Sequence, residues 1–154
     1  MAAVGIVIPQ LFWCIDFGFE LAGTHFTHMT SYMFDDKRPL FLRGLSLFHG
    51  WLPLLLVYLV WKLRYDRRAL VIWTMLAWAL CLVAFFLMPP AGALERFPSM
   101  PRNIDYVFGT DDAKAQTLMP QGVYLVVWML GLFGVFFLPA HLLLKRFFGN
   151  PPVH

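Results

Sequence analysis

Three stretches of this chain carry no formal charge over the length of a bilayer crossing. They are GLSLFHGWLPLLLVYLVW (44–61), ALVIWTMLAWALCLVAFFLM (69–88) and GVYLVVWMLGLFGVFFLPAHLLL (122–144). An α-helix rises about 1.5 Å per residue, so about 20 apolar residues cover the roughly 30 Å of hydrocarbon in a membrane. Runs this uniformly apolar have no amphipathic period to read, and length assigns them as spans. Charged residues make up 14% of the 154, against about 25% in a soluble domain. That leaves too little polar surface to coat a water-soluble fold, and the bilayer is the solvent the composition implies.

A fourth apolar segment opens the chain. Residues 2–15 are apolar but too short to cross, so the span must run on through Asp16 and Glu20 to about residue 23. The first 36 residues contain no Lys or Arg, so the basic flank of a signal peptide is missing. The expected fold is all-α: an integral membrane four-helix bundle forming one domain over 1–154, with spans at 2–23, 44–61, 69–88 and 122–144. Loops at 24–43 and 89–121 connect spans on one side. The second contains five prolines and apolar groups (Phe97, Ile104, Tyr106, Val107, Phe108) that would gain from burial, so it is expected to fold over the polar site described below.

Four spans put both termini on one side. That side carries Lys62, Arg64, Arg67, Arg68, Lys145 and Arg146 in short flanks. The other carries Lys37, Arg38, Arg43, Arg96, Arg102 and Lys114 over longer loops. The counts tie, but short flanks dominate the positive-inside bias, which places both termini in the cytoplasm. The net charge of +3 thus reflects helix flanks. With no basic stripe interleaved with stacking aromatics, nucleic acid is not an expected partner.

The stretch CIDFGFELAGTHFTHMTSYMFDD (14–36) breaks the apolar rule. At about 100° per residue, Asp16, Glu20, Thr24, Thr27, His28, Ser31 and Asp35 fall within about 120° of arc, and His25 falls outside it. A continuous helix would turn this stripe into the bundle, although Gly23 is a point at which the helix could end. The second span offers Arg43, Ser46, His49, Gly50 and Pro53, with Pro53 expected to kink it and Arg43 and His49 expected to pair with the carboxylates. Small residues on the later spans (Thr74, Ala77, Cys81 and Ala84, then Gly131 and Gly134) would allow close helix approach.

The candidate ligand-binding or polar-network residues are therefore Asp16, Glu20, Thr24, His28, Arg43 and His49. A mixed oxygen and nitrogen metal site would use Asp16, Glu20, His28 and His49. Haem would use His28 and His49, and a proton relay Asp16 and Glu20. None has a diagnostic spacing: HExxH, paired ExxH and CxxCH are all missing, and HxxH at 25–28 is weak alone. Cys14 and Cys81 read as small packed side chains, and no serine sits in a GxSxG elbow. Catalytic residues and cofactor stay unassigned. The leading expectation is a non-catalytic membrane component whose polar stripe orients helices or binds a small ligand, a partner subunit or a second copy. The alternative is a small membrane enzyme or a metal- or haem-binding protein.

The run PLFLRGLSLFHGWLPLLLVYLVWKLRYDRRAL, with GTHFTHMTSYMFD before it and NIDYVFG after it, resembles a family of uncharacterised small bacterial polytopic membrane proteins over most of the chain. The resemblance implies a multi-pass protein of the bacterial inner membrane. It implies no activity and no catalytic residue.

Overall fold

The computed structural model describes residues 1–93, 103–111 and 114–149. Among these the regular structure is helical, and the one extended pairing is an isolated bridge between Tyr65 and Gly149. Four helical stretches are long and apolar enough to cross a membrane: Ala3–Leu21, Leu40–Leu63, Ala69–Leu87 and Gln121–Phe148. The first is α1 and the third is α4. The second divides into α2 (Leu40–Leu45) and α3 (Phe48–Leu63). The fourth divides into α5 (Gln121–Gly131), a π-helical turn (Leu132–Phe137) and α6 (Leu138–Phe148). The last stretch runs beyond the expected end at 144 and takes Lys145 and Arg146 into the final turn of α6, where cations complement the helix dipole.

The interruptions follow from chain chemistry. A proline lacks the N–H that would bond four residues back. Pro53 lies buried inside α3 and leaves the His49 carbonyl without that partner; the Cys14 thiol of α1 donates to it at 3.4 Å. The helix continues through Pro53, and the stretch divides earlier, at Ser46–Leu47, where three-residue bonds (Ser46 to Arg43, Leu47 to Gly44) tighten the chain and the Ser46 hydroxyl also bonds the Leu42 carbonyl. Pro139 lies two residues beyond the π-helical turn, in the first turn of α6, and such local rewinding accompanies a proline in a long helix.

The chain forms two compact units. One contains Met1–Leu70 and the chain from Leu138; the other is Val71–Phe137. In the first, α1 packs against α3 and α6. Trp13 of α1 stacks on Phe17 and on His49 of α3, with centroids 5.1 and 4.7 Å apart. Arg64 closes α3 with a left-handed turn (φ 67°). Tyr65 then tucks under α6: its amide donates to the Phe148 carbonyl at 3.0 Å, and its hydroxyl lies 2.7 Å from His141 Nδ1.

In the second unit, Thr74, Cys81 and Ala84 are the buried side of α4. Cys81 and Ala84 pack with Leu125 of α5 and with Val107, which is wholly buried; Ile104 and Phe108 pack around them. Two amides organise this loop. Asn103 donates to the Gly109 and Asp111 carbonyls and accepts from the Phe108 amide. Gln116 accepts from the Leu118 and Met119 amides and bonds Gln121. Gly109 has φ +133°, and a Cβ there would stand 2.9 Å from the Gln116 nitrogen, so only glycine fits. Arg96, Phe97 and Arg102 lie outside the described residues. The close approach expected at Gly131 and Gly134 is not found: a Cβ at each would meet nothing within 4 Å. Beyond these contacts the helices carry exposed Leu, Phe, Val and Met in abundance, among them Leu54, Val71, Met75, Phe86 and Val135. That is the surface a bilayer would cover.

Tyr65 gives a measurable consequence. It is buried, and burial together with the neighbouring Asp66 charge raises its phenol to about 12, from the usual value of about 10. Because the folded value lies above the unfolded one, the stability tied to the neutral phenol is intact below pH ~10 and lost as pH rises through about 12. A difference titration of phenolate absorbance between wild type and Tyr65→Phe should show a single tyrosine ionising near pH 12. A difference midpoint near 10 would contradict the buried placement.

Candidate functional site at the end of the first helix

The site is created by the way α1 stops. The Thr24 amide bonds the Phe19 carbonyl at 3.0 Å and the Gly23 amide bonds the Glu20 carbonyl at 3.0 Å, the paired bonds of a Schellman motif. Gly23 takes the required left-handed conformation, with φ +75°. The Thr24 hydroxyl adds a bond to the Phe19 carbonyl at 3.1 Å. Phe26 then packs back on α1 against Phe12 and Phe19. Helix α1 therefore ends at Leu21, two residues short of the expected span end at 23 and just before the glycine at which a break was possible. The wheel positions of Thr24, Thr27, His28, Ser31 and Asp35 do not apply, because the chain reverses at Gly23.

The reversal brings two threonines over Asp16. This carboxylate is fully buried, five residues before the end of α1. Oδ1 accepts from the amide and hydroxyl of Thr27, both at 2.7 Å. Oδ2 accepts from the amide and hydroxyl of Thr30, at 2.8 and 2.7 Å. Hydrogen bonds to a charged acceptor contribute about 1.5–3 kcal/mol each. Together they outweigh the roughly 2.5–3.5 kcal/mol insertion cost of a carboxylate in a span. Asp16 thus has no acceptor capacity left for Arg43, His49 or a metal, in contrast to the expectation from sequence.

Glu20 sits one helical turn further on. Its side chain is only 6% exposed; the remaining exposure of the residue is in its backbone. Oε2 lies 3.0 Å from His25 Nδ1 and Oε1 lies 3.7 Å from His28 Nδ1. Oε1 makes no hydrogen bond. The two imidazoles are stacked, centroids 4.4 Å apart, and largely exposed. His28 occupies the left-handed region at φ 60°. Non-glycine residues in that region carry strain of about 1–3 kcal/mol and need support. Here Thr27 and Thr30, both held by Asp16, bracket the residue, and the Ser31 hydroxyl bonds its carbonyl at 2.8 Å.

The other expected members lie elsewhere. Arg43 donates to the Met33 carbonyl at 3.2 Å and lies 3.6 Å from Asp36. His49 Nδ1 bonds the Gln10 side chain of α1, and its ring lies against Trp13. Neither pairs with Asp16 or Glu20. Of the metal set Asp16, Glu20, His28 and His49, only Glu20 and His28 come together, and His25 joins them: one ligand atom from each lies within 4.8 Å of the others. His25 fell off the helical stripe only because the helix was assumed to continue. The HxxH spacing was its one visible signal. Thr27 shares the polar arc of Asp16, but Thr30, three residues on, has no signal without the chain reversal.

The chain matches no protein-family model, no curated protein and no solved structure. The chemistry of the site follows from its own geometry.

That geometry separates two sets of couplings. Asp16→Asn places an amide nitrogen against two of the four donors and should cost about 2–3 kcal/mol, measured by thermal unfolding in detergent. Thr30→Val should cost about 1 kcal/mol. The Asp16→Asn/Thr30→Val pair should be non-additive and Asp16→Asn/Arg43→Ala additive. Coupling to Arg43 and none to Thr30 would reject this loop arrangement.

Proposed function

We propose that this chain is a non-catalytic, multi-pass component of the bacterial inner membrane that binds a small ligand or a partner subunit through the loop after α1. The observation that carries the reading is the division of labour between the two carboxylates. Asp16 is consumed in holding the loop rigid. Glu20, His25 and His28 are left as a polar group with its imidazoles exposed. A fixed backbone that presents unspent polar groups suits recognition.

In this reading the four apolar helices form a transmembrane bundle with lipid around its exposed apolar side chains. The termini are cytoplasmic and the loop at 24–39 faces outward, as the basic flanks at 62–68 and 145–146 favour. The resemblance to a family of small bacterial membrane proteins is consistent with that location. Haem between His28 and His49 draws no support from the geometry, because His49 is engaged by Gln10 and Trp13.

Two measurements test this. In intact cells, an impermeant thiol reagent should label Lys37→Cys and leave Arg67→Cys unlabelled, both positions being exposed; the opposite pattern inverts the orientation. Native mass spectrometry of the protein released from its own membranes should show mass beyond chain and lipid, and this should vanish in His25→Ala/His28→Ala. Bare chain in both samples would remove the binding role.

A further inference from the structure

We propose that Glu20, His25 and His28 bind one divalent transition-metal ion of the zinc class, with the remaining coordination positions open to water or an external ligand. The proposal rests on the reading of this loop as a ligand platform and names the ligand.

The donor set comes first. One carboxylate oxygen and two imidazole nitrogens suit a borderline cation such as zinc, and three protein ligands are the complement of an open site. Spacing comes next. Zinc bonds of about 2.0–2.2 Å in a tetrahedron put ligand atoms about 3.3–3.6 Å apart. The carboxylate lies 3.0 Å from His25 through Oε2 and 3.7 Å from His28 through Oε1, and one ligand atom from each of the three residues lies within 4.8 Å of the others. Exposed imidazoles can close that difference by rotating on their own side-chain bonds, with no movement of backbone.

The independent indication is Glu20 itself. It is a buried acid with no Lys or Arg paired to it among the described residues, and its Oε1 is buried without a hydrogen-bond donor. A buried carboxylate oxygen normally has one. A cation between Oε1 and the two imidazoles would satisfy that oxygen. The backbone that carries His28 is held on both sides, through Thr27 and Thr30 on Asp16. This is the outer support that fixes metal ligands in place. His25 and His28 are 56% and 65% exposed, so a bound ion would face solvent and exchange readily. The site would accept and hand on an ion or hold it against a partner's side chain, rather than lock it away as a structural centre.

Cobalt(II) is the probe, because its visible absorption reports ligand number and type. The full chain, purified in detergent and stripped with chelator, should bind one cobalt ion and develop intense bands typical of low coordination number, which zinc should abolish by displacement. His25→Ala and His28→Ala should each weaken binding by at least about tenfold, the scale seen for losing even a supporting group. Glu20→Gln should do the same. His49→Ala should leave cobalt binding unchanged. Because His25 and His28 are exposed, their variants should keep the wild-type circular dichroism, which makes loss of metal interpretable. No stoichiometric cobalt binding, or bands that persist in His25→Ala/His28→Ala, would overturn the proposal. If cobalt fails while native mass spectrometry still finds a ligand lost in that double variant, the platform stands and the metal alone is wrong.

Discussion

The loop after the first helix depends on one carboxylate. Asp16 is an acid in a helix otherwise able to sit in hydrocarbon, and its burial is tolerable only because four donors from Thr27 and Thr30 converge on it. Two backbone amides and two hydroxyls satisfy both oxygens. The same bonds reverse the chain, seat Phe26 against α1 and hold His28 in a conformation that a free histidine would leave. A group that looks like a binding residue in one dimension is, in three, the clamp for its neighbours.

That clamp sets the chemistry of Glu20. The two acids are four residues apart on one helix, nearly eclipsed, and they have opposite fates. Asp16 meets a loop whose donors match its lone pairs. Glu20 meets two histidines that leave Oε1 without a donor. The difference comes from where the Gly23 turn lets the returning chain pass. Residues 27 and 30 arrive over Asp16, and 25 and 28 arrive over Glu20.

The other polar groups of the first unit serve packing. His49 ties α3 to α1 through Gln10 and Trp13, and its carbonyl, freed by Pro53, is taken by the Cys14 thiol. Tyr65 ties the turn after α3 to α6 through His141 and Phe148. In an apolar surrounding a polar group gains from a partner within the protein, and these side chains join one helix to the next.

The helical class and the four apolar segments were legible in the sequence, because a long uncharged run has few alternatives once its backbone must bond internally. The end points were legible to within a few residues, except where a composite helix ran past the apolar stretch, as at Lys145 and Arg146. The buried face of α4 was visible in the spacing of Thr74, Cys81 and Ala84. The partners of the polar residues were not. A helical wheel assigns neighbours only while the helix continues, and a single left-handed glycine at position 23 replaces the neighbours at 24–35 with a different set. Composition and length determined that Asp16 and Glu20 needed partners within the protein. Only the folded loop decided that threonines satisfy the first and histidines face the second, because that choice depends on the path of a chain reversal, which no periodicity in the sequence encodes.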